Sequence, residues 1–528
     1  MLQGIHNLHD RRLKLYWLIC IAISFVIIIA TGLIILRARW PFSKAKIAAT
    51  LGDTVHATVH FNKFHSTYFP HPGCVAEAVT FVRSDASAGL PPLVTIQKMS
   101  MQARYSDIFL RSGFLARIIL DGLYVRIPPR GSNQNKANGQ TQSDNTRVGQ
   151  IVANGAVLEI DREDGAQPLK FEIHLLTLKS VSRDQVMTYH LAMQNALPPG
   201  EIRSEGHLGP WKSSDLGQTP LSGSYTFEKA NLRVFTGIAG TLTSEGAFKG
   251  MLGDVYADGN VDIPDFELTA KGNSAHLSAK YQASVNGLNG NVILHQVNTS
   301  ILDTRVTATG SIAEKQGQSG KLTSIDLAVR GGRIQDLMLL FVTKGKPPLN
   351  GVTSMRARVT VPPEGKPFLK ELQITGDFTI GKGEFTKADT RNSVDLLSQR
   401  ASGEGKNTKK KTAQADDPPN VETNLEGHVV LRNEIARFSN ASFHVPGATA
   451  LMNGTYDLDN DRVRFQGTLK TTAEFSKTTS GIKSILLKPL DPFFKKRPSG
   501  SSVPINMTGT YPNLHFGIDL DQDKKHGK

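Results

Sequence analysis

Side chains in much of this chain alternate with a period of two. In the stretch RVRFQGTLK, Val463, Phe465, Gly467 and Leu469 are apolar or small, and Arg464, Gln466 and Thr468 between them are polar. An extended backbone sends the first set to one side and the second to the other, which is the pattern of a strand half-buried in a sheet. Leu425, Gly427, Val429 and Leu431 repeat it, as do Leu302, Thr304, Val306, Ala308 and Ile312. Turn clusters such as DLDND and NGLNGN separate these runs. Helical periods are confined to short stretches at Tyr105–Arg111, Gln335–Phe341 and Asp389–Gln399. The expected fold is therefore mainly β, an elongated and curved antiparallel sheet with few short helices. A Gly-[Ser/Thr]-apolar motif recurs at Gly223, Gly240, Gly310, Gly454, Gly467 and Gly509. It fits either a long meander of similar strands or the ordinary frequency of glycine in twisted sheet.

One segment breaks the pattern. Leu15 to Leu36 is a run of 22 residues without a charge, long enough to cross a hydrocarbon core of roughly 30 Å as a helix. It ends in Arg37, Arg39, Trp40 and Pro41 in place of a small-residue cleavage site, so the expectation is an uncleaved anchor. Lys and Arg flank both ends, and their count does not set the orientation. The two cysteines, Cys20 inside this run and Cys74, exclude a disulfide scaffold.

The net charge of +14 raises the question of nucleic acid. Its distribution answers it: residues 1–46 carry seven Lys/Arg against Asp10, and residues 477–497 carry six against Asp491. A nucleic-acid binder places its excess on a folded face with stacking or base-reading groups. Here the excess flanks an apolar run and fills one short stretch, which points to a membrane.

Chemistry motifs are missing. There is no phosphate-binding glycine loop, no HExxH, no GxSxG and no CxxC. Asp457, Asp459 and Asp461 superficially suggest a calcium loop, but Arg462 and Thr468 stand where such a loop needs glycine and glutamate. His65, His71 and Cys74 lack a fourth ligand. The sequence therefore predicts a non-enzymatic protein with no catalytic residues, metal or cofactor.

Certain segments resemble a known family: STYFPHPGCVAEAVTFVR, LDGLYVRIPP, SEGHLGPW, TPLSGSYTF, GKGEFTKADTRNSVDLLSQRASG, FHVPGATALMNGTYDL and TTSGIKSILLKPLDPFFKK, in that order behind the anchor. Together they resemble the bacterial AsmA-like proteins, which are related in architecture to bridge-like lipid-transfer proteins. The resemblance implies a single-pass inner-membrane protein with its bulk in the periplasm and a role in phospholipid transport or outer-membrane biogenesis. On this basis residues 1–14 form a cytoplasmic tail, 15–36 the transmembrane helix, and 37–130 an N-terminal AsmA-like β segment. A central β region (148–402) and a C-terminal one (421–515) follow, with a tail at 516–528. The polar stretches 131–147 and 403–420 hold no apolar residue larger than alanine or proline and read as disordered loops.

The candidate site follows from the alternation. Leu425, Val429, Leu431, Val463, Phe465 and Leu469 are candidates for the floor of a groove that takes acyl chains. Burying a lipid tail returns about 0.8 kcal/mol per methylene, so such a trough needs no further chemistry. The same residues would equally suit the core of a closed sandwich. With roughly 30 strands at 4.8 Å spacing the trough would reach on the order of 100–150 Å. Phe493, Phe494, Lys495, Lys496 and Arg497, in the basic-aromatic segment 477–497, are candidates for membrane contact. The expected partners are a phospholipid or other envelope lipid, the inner membrane, and an outer-membrane or envelope protein, with no nucleic acid. An alternative role is an envelope scaffold that assists outer-membrane protein assembly by edge pairing without moving lipid.

Overall fold

The structure is a computed structural model. It describes residues 40–55, 57–83, 94–110, 114–127, 147–161, 167–212, 215–271, 273–314, 320–343, 346–363, 366–401, 421–471, 502–511 and 513–518. The run Leu15–Leu36 and the segment 477–497, with its five membrane-contact candidates, lie outside the described residues, as do 403–420 and all of 131–147 except Arg147. Among the described residues no helix is long and apolar enough to cross a membrane. The chain divides into two compact units. One holds the described residues up to Ile160 together with Leu175–Val181, and the other holds 161–174 and the residues from Ser182 onward.

In the first unit, strands Ala57–Thr67, Gly73–Arg83, Val94–Gln102 and Phe114–Ile127 pair antiparallel in order. Their alternating apolar residues form one core with Val59, Phe61, Ala76, Val79, Ile96, Met99 and Met101. The helix Lys44–Val55 packs Ile47, Ala48 and Leu51 against it, a spacing that keeps all three on one helical face.

The next ladder corrects the sequence expectation. Arg147–Ile160 pairs with Phe114–Ile127 in parallel, not antiparallel. A parallel neighbour requires the chain to travel back along the strand it has just made. Fourteen residues of strand span about 46 Å, and the 19 residues from 128 to 146 reach about 63 Å when extended, so the polar linker is long enough for the return.

The second unit is a meander. From Met187–Gln194 to Asn513–Ile518, each long strand pairs antiparallel with the next. The short strand Ile238–Ala239 joins one side of Asp254–Leu268. Among the described residues no ladder links the first strand of this series to the last, so the sheet is open. Twenty-four strands occur among the described residues, many of 10 to 15 residues.

Connections from distant parts of this meander meet at one place. Leu340, Leu369 and Leu372 pack with Leu268, Ala275, Leu431, Ala436 and Leu458. The turn after Leu268 supplies the polar tie. Lys271, only 4% exposed, donates to the Leu458 carbonyl and to Asp461, and Asn273 donates to the carbonyls of Leu339 and Val342 at 3.0 and 2.7 Å. Strands whose ladder positions are far apart are thus clasped together, which bends the sheet across its apolar side. The three helices expected from sequence occur at Tyr105–Leu110, Ile334–Leu339 and Ala388–Ala401; Lys44–Val55 and Phe368–Glu371 were not expected.

Candidate functional site

Residues directly opposite in neighbouring strands share a face, so the register can be read as rows crossing the sheet. One row runs Leu191, Ser204, Tyr225, Gly246, Gly259, Tyr281, Val297, Ala308 and Leu327. It continues through Ala357, Gly376, Val429, Phe438, Gly454, Phe465, Met507 and Phe516. It contains no charged residue from one end of the unit to the other. At about 4.8 Å per ladder step it extends roughly 75 Å across the second unit.

The neighbouring row, one residue along each strand, faces the other way. On one side it includes Arg203, Glu245, Lys280, Arg356 and Asp377, and the matching row on the other side includes Asp326, Arg358, Arg437 and Arg464. The two faces differ by charge along the full length of the unit.

The six groove candidates fall together on the uncharged face, linked in three rows. Leu431 leads through Ala436 and Tyr456 to Val463, Val429 through Phe438 and Gly454 to Phe465, and Leu425 through Phe443 and Ala450 to Leu469. The rows differ in surroundings. Leu431 (4% exposed) packs into the cluster around Leu340 and Leu369, and Leu469 (3%) into a cluster with Val445, Ala448 and Ala450. Val463 is also buried. In the middle row Val429 and Phe438 touch the first of these clusters, and with Phe465 they stay half-buried, as does Leu425 at the start of the third row. Protein therefore closes the two margins of the face, and its midline remains partly open.

Aromatic residues that the alternation did not single out shape this midline. Phe438 sits between Phe378 and Phe465, with ring centroids 6.1 and 5.5 Å away. Gly454 separates the strands of Phe438 and Phe465, and a Cβ placed on it would collide with the Phe465 ring. The glycine is where the ring lies flat on the sheet. The signal was present in the sequence as the recurring Gly-[Ser/Thr]-apolar motif, whose glycines at 223, 454 and 467 point to this face.

Toward the other end of the row the rings are tyrosines. The hydroxyls of Tyr225 and Tyr281 contact each other, Tyr225 shares a 2.8 Å hydrogen bond with Ser244, and Ser244 donates to the Asn260 carbonyl at 2.9 Å. Tyr189 and Ser204 form a similar pair at 3.1 Å. Burial pushes the Tyr281 and Tyr189 hydroxyls above the ordinary phenol range, and the bond to Tyr225 adds to the effect at Tyr281. Both remain neutral at physiological pH, so this end of the face is polar in places but carries no charge.

The remaining motif residues have structural positions. Asp457 accepts hydrogen bonds from the backbone of Asp459 and Asn460 within their turn, while Asp461 leaves the turn for Lys271. Cys74 is 1% exposed within the first unit's core, where burial pushes its thiol up to about 12. Among the described residues no three His, Cys, Asp or Glu side chains are grouped to hold a metal ion.

No family model, curated protein or solved structure matches this chain. Its function has to be argued from the uncharged row itself.

Proposed function

We propose that this protein binds lipid acyl chains along the uncharged face of its second unit and supports phospholipid transport or outer-membrane biogenesis. It does so from the inner membrane, anchored by residues 15–36 with its bulk in the periplasm. The observation that carries the reading is the uninterrupted row from Leu191 to Phe516. A water-filled binding cleft would place charges or amides along its floor, whereas an acyl chain requires their absence. A closed sandwich is disfavoured because Val429, Phe438 and Phe465 are only half-buried. No chemical step is required, since the gain from burying methylenes supplies the affinity.

The test is a benzophenone amino acid at position 438 or 464 in the full chain, irradiated in cells and followed by mass spectrometry. Lipid linked at 438 and not at 464 supports the reading. Lipid at neither, with both variants folded, removes lipid from this face, and a protein linked at 438 favours the scaffold role.

A further inference from the structure

Trp40 is the first described residue after the apolar run, and by sequence it suits a membrane interface. In the structure it is 4% exposed, packed in the core of the first unit. Its ring lies 4.6 Å from that of Tyr68 and 5.7 Å from that of Phe42. Tyr68 opens the loop between the first two strands, and the next residue, Phe69, is 87% exposed. A single exposed phenylalanine is unremarkable on its own. This one belongs to a patch with Tyr68 (54%) and Tyr105 (39%), whose hydroxyl donates to the Tyr68 carbonyl. The loop is braced further by Ser66, which donates to the Phe42 carbonyl at 2.7 Å, and by the Ala103 amide on the Pro72 carbonyl at 2.8 Å. Phe69 is held outward by a firm base.

We propose that Phe69, with Tyr68 and Tyr105, inserts into the headgroup and acyl boundary of the membrane that holds the anchor. This contact rests on the reading that residues 15–36 span that membrane. Three observations select a lipid surface as the occupant. Only three residues separate Leu36 from Trp40, so the Trp40 backbone lies within roughly 14 Å of the end of the apolar run, and the Tyr68 ring packs against the Trp40 side chain. The stretches 40–52 and 61–76 contain no acidic residue, and Lys44, Lys46, His71 and Arg104 are exposed on them and beside Tyr105. Aromatic rings with cations at their margin match the interfacial layer, where rings enter the acyl boundary and cations meet phosphate.

The test uses the full chain reconstituted into vesicles of phosphatidylcholine and phosphatidylglycerol, with a dansyl amino acid at position 69. A control carries it at exposed Thr58, about 30 Å away at the far end of the same strand. Lipid with a nitroxide near its glycerol should quench the probe at 69 several-fold more than at 58, and emission at 69 should be blue-shifted. Carbonate extraction separates the two readings. A chain that carbonate strips off overturns the anchor and this contact with it. A carbonate-resistant chain whose probe at 69 is unquenched, or quenched no more than at 58, overturns the contact alone.

Discussion

Lys271 places its ammonium 3.3 Å from the carboxylate of Asp461, across 190 residues of sequence. The lysine is almost fully enclosed, and Asp461 also accepts hydrogen bonds from Tyr456 at 2.6 Å and Thr343 at 2.9 Å. Removing one partner of an enclosed pair leaves the other's charge uncompensated, which costs about 3 kcal/mol or more. Lys271→Met should therefore lower the melting temperature markedly. The double variant Lys271→Met, Asp461→Asn should recover part of the loss, and no recovery would mean that the pair is not coupled.

The same site sets an acid response. Burial pushes the Asp461 carboxyl up, but the Tyr456 and Thr343 hydrogen bonds and the Lys271 charge outweigh it and hold the pKa below the usual carboxylate value. A group lowered in the folded state contributes stability above its unfolded pKa, and loses it as pH falls through the lower folded value. Wild type should lose stability below about pH 4 more steeply than the Asp461→Asn variant. Denaturant titrations at pH 7 and pH 3 measure the difference, and parallel losses would dismiss the clasp as an acid-sensitive element.

Phe465→Asp introduces a carboxylate into the midline of the uncharged row, at a cost of several kcal/mol wherever water is excluded. Because Phe465 is half-buried, the variant should fold and lose lipid, while Arg464→Asp on the opposite face should keep both. Circular dichroism and mass spectrometry of co-purifying lipid decide the matter. A folded Phe465→Asp protein with a normal lipid load would contradict the groove.

Gly454→Ala should destabilise by about 1–3 kcal/mol, since the new methyl meets the Phe465 ring and the Arg464 carbonyl. In a Phe465→Ala background the penalty should shrink, because one of the two obstacles is gone. Equal penalties in both backgrounds would show that the backbone contact alone matters.

Cys74 should resist maleimide in the folded protein. Its thiol is enclosed and raised to about 12, so almost no thiolate exists at neutral pH. The tryptic peptide 64–83 should be modified only after denaturation; rapid labelling of the native chain would show that the first unit opens.

Alternation made the uncharged face legible, because a period of two fixes which side each residue of a strand occupies whatever its neighbours are. It did not reveal which strands adjoin or in which direction, so the parallel pairing of Phe114–Ile127 with Arg147–Ile160 was invisible. Nor could it show that Leu431 and Leu469 lie at closed margins while Phe465 lies on the open midline, since all three obey the same period. Nothing in the sequence around Lys271 shows that the fold brings Leu458 and Asp461 to it. The Lys44–Val55 helix escaped notice because Ile47 and Leu51 are almost all it offers as an apolar stripe.

A sheet in which each strand bonds only to its sequence neighbours behaves like a one-dimensional chain of coupled segments. Asn513–Ile518 has a single partner among the described strands, so opening can start there and proceed inward one strand at a time. Lys271 interrupts that progression, because it ties the turn before strand Arg462–Thr471 to a turn nearly two hundred residues earlier. Amide hydrogen exchange should therefore slow stepwise from the last strand inward and then change abruptly at the tie. Strands beyond it would exchange together as one cooperative block, and the length of the freely fraying end would be set by the position of a single lysine.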